Sequence, residues 1–299
     1  MSKVIGLGAC VYDTLINCDY YPTEDTKLKA NGVFIAGGGP VGNALYVMAK
    51  LNVNASVLGA FAPDNAGKYL LEDFSKNGVD VSNAVVLPNA TSFTSFILLS
   101  EQGKSRTCVF DRGTVADDPS KLDYSCIKGA SVLHLDGNYL NCAIQAAKVA
   151  KENGVKVSLD AGGLYQGIEN LIPYVDILIP SGEFAKGFTK TEDIPSAMKI
   201  LKEKYNPEIL VVTDGANGGY YYDGDTIKTY RNFKVQAVDT NGAGDTFHGA
   251  FITAYLEGKD ILSCSEFASA TSAYKCLHKG VRTFDLSKEI VLEFISNNK

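Results

Sequence analysis

No basic block interrupts this 299-residue sequence, and its formal net charge of −6 and pI near 5.2 offer a polyanion no continuous docking surface. Nucleic acid is therefore not expected as a partner, and a small ligand is. No stretch approaches the roughly 20 apolar residues of a membrane span, so no membrane association is expected. The seven cysteines, at 10, 18, 108, 126, 142, 264 and 276, are odd in number, scattered and free of any Cys-x-x-Cys. They read as reduced thiols filling core positions, neither a disulfide framework nor a zinc site. The three histidines, His134, His248 and His278, are far apart and no His-Glu-x-x-His occurs, which excludes the usual transition-metal signature. The segment Met1-Ser2-Lys3-Val4-Ile5 enters a strand-like run without a basic and apolar leader, so a cytoplasmic location is expected.

Two nucleotide-binding fingerprints are also incomplete. Gly6-x-Gly8 begins like a dinucleotide loop, but its third glycine would fall at Val11 and no helical pattern follows at once. Gly103-Lys104-Ser105 ends like a Walker A loop, but the leading glycine would have to be residue 98, which is Leu. It reads as the turn of a hairpin over residues 93–111.

What is present is an alternation. Val4 to Cys10 is a short apolar run, and from residue 131 onward short Val/Ile/Leu-rich segments (131–136, 155–160, 175–180, 209–213) alternate with helical patterns over 141–152 and 194–204. That is the mark of βαβ units and a parallel sheet covered on both faces. Further helices are expected over 45–51, 68–76 and 261–277, and an antiparallel pair at 220–222 and 227–230. No long linker divides the chain, which favours one main domain. Asp13, Asp136, Asp160 and Thr213 are each expected at a strand's C-terminal end, the edge where open α/β sheets collect ligands; each also has a bland reading as a turn residue or helix cap.

Two stretches carry candidate chemistry. In Asp239-Thr240-Asn241-Gly242-Ala243-Gly244-Asp245-Thr246-Phe247-His248-Gly249-Ala250-Phe251, glycines precede a run in which Phe247, Phe251, Ala254 and Tyr255 recur at helical spacing. A helix opening there presents unpartnered amides at its positive end, a receptor for a phosphate. Asp245 in the first turn could serve only the helix dipole. The other stretch is Ala36-Gly37-Gly38-Gly39-Pro40-Val41-Gly42-Asn43, where successive glycines let backbone pass close to a ligand and Asn43 follows near a helix start.

Residues 239–251 resemble, position for position, the second signature of the PfkB, or ribokinase-like, family of carbohydrate kinases, and residues 37–43 resemble the first. The resemblance implies an α/β fold with a central, mostly parallel sheet flanked by helices, and a single domain over 1–299 with a discontinuous β lid formed by about 14–35 and 93–111. It implies an ATP-dependent sugar kinase with Asp245 as general base and the amides of Gly242, Ala243 and Gly244 as anion hole. Asp13, Gly38, Gly39 and Asn43 would hold the sugar, and Thr213, Gly215 and Gly218, in a Thr-x-Gly-x-x-Gly loop, would lie along the nucleotide. Asp239 would help hold a monovalent cation, K+. Magnesium accompanies ATP in this family, and Pro180-Ser181-Gly182-Glu183 occupies the place of an Asn-x-x-Glu motif linked to it; with Ser181 in the Asn position the Glu position is Phe184, so Glu183 is the candidate. A homodimer through the lid is expected from the same likeness. A nucleoside kinase, a phosphosugar kinase with cations Lys104, Arg106 or Arg112 near the lid, and a non-catalytic sugar- or nucleotide-binding protein remain alternatives.

Overall fold

The computed structural model describes residues 3–103 and 105–298. In chain order the strands are β1 (Lys3–Leu7), β2 (Val11–Cys18), β3 (Gly32–Gly38), β4 (Asn54–Phe61), β5 (Asp80–Val86), β6 (Thr94–Ser100), β7 (Ser105–Asp111), β8 (Val132–Leu135), β9 (Lys156–Ala161), β10 (Ile177–Pro180), β11 (Ile209–Thr213), β12 (Gly219–Asp223) and β13 (Thr226–Tyr230). The helices are α1 (Pro40–Lys50), α2 (Asn65–Lys76), α3 (Leu140–Glu152), α4 (Gly182–Thr189), α5 (Ile194–Tyr205), α6 (Ala243–Leu256), α7 (Ile261–Cys276) and α8 (Lys288–Asn297). No described helix is long and apolar enough to cross a membrane.

Nine strands form one sheet in the order β13-β12-β11-β10-β9-β8-β1-β4-β5. From β11 to β5 every pairing is parallel, and β12 and β13 add an antiparallel edge. The apolar runs are nearly continuous because both faces are covered, and the period of two divides them. Ile5, Leu7, Leu133, Leu135 and Leu178 pack with α3, α4 and α5, whereas Val4 and Val132 pack with α1 and α2, and Ile177 and Ile179 with α6 and α7. Helix α6 is buried nearly all round, because α1 and α7 flank it. A Cβ on Gly249 would lie 2.7 Å from the Ala44 carbonyl, so α6 and α1 approach here more closely than any larger residue permits.

The second sheet, β3-β2-β6-β7, is the expected lid, though its strands reach further than 14–35: β2 begins at Val11, and β3 runs from Gly32 to Gly38. This corrects the placement of Asp13. The first strand ends at Leu7, and the chain turns into the lid at once, so Asp13 is the third residue of β2, paired with Ala36 and Ser95, and does not end a main-sheet strand. The helix expected to start at Leu45 starts at Pro40, whose fixed φ suits a first helical position, and Asn43 therefore lies inside α1. Helix α4 was not anticipated: Ser181 caps it by accepting from Phe184 N at 3.1 Å, but eight residues interrupted by two glycines give too little periodicity to read. Strands β4 and β5 and helix α8 also went unread.

Candidate active site

The two glycine-containing stretches meet. Asn43, 4% exposed in α1, donates its Nδ2 to Asp245 Oδ2 at 2.7 Å, joining residues 202 apart in the chain. The contact follows from the α1–α6 approach at Gly249: one turn before it, the first turns of both helices face each other. Gly242, at φ 70°, caps α6 in the left-handed region that glycine tolerates at little cost, and so sets the direction in which the helix leaves the loop. A Cβ at Gly244 would meet nothing within 4 Å, so the backbone there borders open space.

Asp245 is half-buried, and its pKa is raised first by burial and then by the nearby Asp160 carboxylate, while the Asn43 bond opposes the rise. Asp160 itself, 7% exposed, is held below the usual carboxylate range although burial pushes it up, because His248 Nε2 lies 3.2 Å from its Oδ1 and His134 lies behind. Burial holds the His134 imidazole down at about 3, with His248 the next cause. Sequence spacing, which separates these residues widely, gave no hint of this His-His-Asp cluster under the site.

On the lid side Asp13, 8% exposed, accepts from Ser95 Oγ at 2.6 Å, and burial raises its pKa to about 6. Gly38 adjoins it so closely that a Cβ would stand 1.9 Å from Asp13 Oδ2. Gly39 is the N-cap of α1. Asp136 turns out to latch this loop: its Oδ2 accepts from Ala9 N at 2.8 Å and Val41 N at 3.2 Å, the helix-cap alternative of the sequence reading. Sequence reasoning missed Arg282, which is almost fully buried: it donates Nε to Asn43 Oδ1 at 3.2 Å and pairs with Asp73. Asn43 thereby bridges a guanidinium and the Asp245 carboxylate.

Thr213, Gly215 and Gly218 line one pocket with Ala243 and Gly244, so the candidate nucleotide loop and the candidate anion hole share a cavity of about 440 Å³, part of it open to solvent. Phe247, from the 239–251 stretch, and Tyr230, Asn232, Ser269 and Ser272, which no motif had marked, complete its wall. Glu183 is exposed in the first turn of α4, whose cap Ser181 bridges Thr213, but it is not among the residues that line the cavity. Asp239 lies just ahead of the candidate anion hole; its Oδ1 accepts from Asn241 N and its Oδ2 from Gly280 N, both at 2.8 Å. The lid reaches the same loop through Arg106, which donates to Asn241 Oδ1. Arg112 donates to Asn138 Oδ1 at 3.0 Å beside the end of β8. Lys104 lies outside the described residues.

An open parallel sheet beside a four-stranded second sheet, with a half-buried carboxylate at the start of α6 and the Ala243 and Gly244 backbone lining a cavity, suits a small anionic co-substrate, although Ala243 N itself donates to the Thr240 carbonyl at 3.2 Å. The family comparison agrees: the model described as pfkB family carbohydrate kinase matches residues 1–288, and the chain belongs to that family, as a sugar or nucleoside kinase of the ribokinase type. It is 26% identical over 97% of both chains to the ribokinase of Haemophilus influenzae. It is 25% identical over 95% of both to an ATP-dependent ribose-1-phosphate kinase of Halopiger xanaduensis. Among solved structures, Arabidopsis thaliana ribokinase complexed with ribose and ATP superposes with a TM-score of 0.86, at 25% identity over 98% of each chain.

Proposed function

We propose that this protein transfers the γ-phosphoryl group of ATP to a hydroxyl of a small sugar, with Asp245 as the general base. The observation that carries the reading is the 2.7 Å bond from Asn43 to Asp245, which joins the sugar-side loop to the start of α6, whose Ala243 and Gly244 line one cavity with Thr213, Gly215 and Gly218. Asp13 accepts hydrogen bonds from hydroxyls of the sugar, and the backbone at Gly38 and Gly39 gives the ring room to lie against it. Asp245 takes the proton of the attacking hydroxyl, and burial, which raises its pKa, makes the carboxylate a stronger base than an exposed one. The amides of Gly242, Ala243 and Gly244 stabilise charge on the transferring group, the principal demand of phosphoryl transfer.

Magnesium fits the donors available, because that ion keeps several waters and rides on the nucleotide phosphates, so one carboxylate suffices. Glu183 would hold it through water, and the ion would neutralise phosphate charge. The lid sheet supports the homodimer reading: Val33, Phe34, Ile35, Phe96, Val109 and Phe110 are 42–60% exposed on its strands, apolar area that a second lid would cover. Free cysteines fit a reducing cytoplasm.

The phosphosugar alternative has one observation in its favour, the Arg112 guanidinium held at the end of β8 by Asn138 and lying 5.8 Å from the Tyr165 ring centre. The deciding experiment is ADP release measured across free pentoses and hexoses, their monophosphates, and nucleosides. Turnover on free sugars alone supports the proposal. Turnover only on phosphosugars or nucleosides replaces the substrate, and no ADP release from any of them removes the kinase reading.

A further inference from the structure

Lys275 is a charged side chain with no solvent exposure, in the last turn of α7. Its ammonium Nζ donates to the Asp239 carbonyl at 2.7 Å and lies 3.6 Å from Asp239 Oδ2. The same carboxylate accepts from the amides of Asn241 and Gly280. Val238 N and Asp239 N both donate to the Cys276 carbonyl, at 2.7 and 3.2 Å. One turn back on α7, Ser272 Oγ donates to the Ala243 carbonyl at 2.8 Å. The loop that ends in the Gly242–Gly244 amides is thus fastened to α7 around one buried positive charge.

A carboxylate and a backbone carbonyl directed at one point are the donors a monovalent cation would need at Asp239, and here an ammonium already uses both. The residues present do not fit a resident potassium ion. A second unit charge beside the ammonium would be repelled by it at close range, and the carboxylate it would need is shared three ways. Burying an ammonium is itself expensive, and burial does lower the Lys275 pKa, while Asp239 works against that fall. A side chain of that cost, placed between a helix and the anion-hole loop, points to a function for its charge.

We propose that the Lys275 ammonium is a built-in substitute for a monovalent cation, so that this kinase holds its anion-hole loop in place without K+. The inference rests on the kinase reading for its effect on turnover, but its effect on the loop stands apart from activity, and both are measured. Turnover on the best substrate of the panel and the melting temperature are followed while KCl replaces choline chloride at constant ionic strength. The wild type is expected to give flat curves in both. Lys275→Ala, which removes the charge and opens space beside Asp239, is expected to melt lower and to lose turnover by roughly 10² to 10³, the effect of misplacing anion-hole donors. K+ should restore both quantities in that variant where choline does not.

Activation of the wild type by K+, or a K+-dependent rise in its melting temperature, would overturn the proposal. So would a folded Lys275→Ala that keeps wild-type turnover in choline or regains nothing in K+. If the alanine variant does not fold, the wild-type titration decides alone. Failure of the kinase reading is separately visible, because it abolishes ADP release while leaving the melting curves to report on the cation.

Discussion

Replacing Asp13 by Asn separates what this carboxylate costs the fold from what it does for the substrate. Burial raises its pKa from the ordinary 3.8 to about 6 even though Ser95 donates to it. A raised carboxylate pKa means that the folded state binds the extra proton between those two values, so stability falls as pH rises through that window and the penalty is complete above it. At about 1.36 kcal/mol per pH unit the penalty approaches about 3 kcal/mol at pH 7.5 and about 1 kcal/mol at pH 4.5. Asn keeps an oxygen to accept from Ser95 and carries no charge, so Asp13→Asn should be the more stable protein. Its advantage should be up to about 3 kcal/mol at pH 7.5 and shrink by about 2 kcal/mol at pH 4.5. Hydrogen bonds from sugar hydroxyls to a carboxylate exceed those to an amide, and KM for the sugar should rise roughly ten- to hundredfold. Urea unfolding at the two pH values and steady-state kinetics test both halves. A stability difference that does not change with pH would refute the argument about Asp13, and an unchanged KM would remove it from the substrate site.

Three further outcomes are expected. Asn43→Ala deprives Asp245 of the bond that favours its charged form, so the acid limb of the kcat profile should move to higher pH; a profile that stays put would deny the coupling. Gly38→Ala drives a methyl into Asp13 Oδ2, and KM for sugar should rise well ahead of any change in kcat, as steady-state kinetics would read. Gly249→Ala pushes α6 from α1 and should cost roughly 1–3 kcal/mol in chemical unfolding while lowering kcat, although residue 249 touches no substrate; a loss of stability with kcat intact would uncouple helix spacing from the site.

Local order made much of this legible in the sequence. The stretch from Asp239 to Phe251 is contiguous, so its glycines, the carboxylate and the helical spacing could be read together, and α6 begins where they said. The ends of β9, β10 and β11 were legible because strands buried on both faces are apolar runs with polar residues at their exits. Asp13 was misplaced because Val4 to Leu7 and the start of the lid strand form one apolar stretch, and nothing in it signals that the chain leaves the main sheet at residue 8. What remained hidden is long-range: Arg282 reaches Asn43 across 239 positions, and Lys275 reaches Asp239 from another helix. A lysine near a helix end reads as a solvated charge until tertiary packing encloses it.

The central claim is that the Asp245 carboxylate removes the proton of the accepting hydroxyl. Single-turnover phosphoryl transfer by Asp245→Asn, with sugar and ATP affinities measured calorimetrically on the same preparation, tests it most directly. The account predicts transfer slower by roughly two to four orders of magnitude with both affinities nearly unchanged. Transfer at the wild-type rate would contradict it.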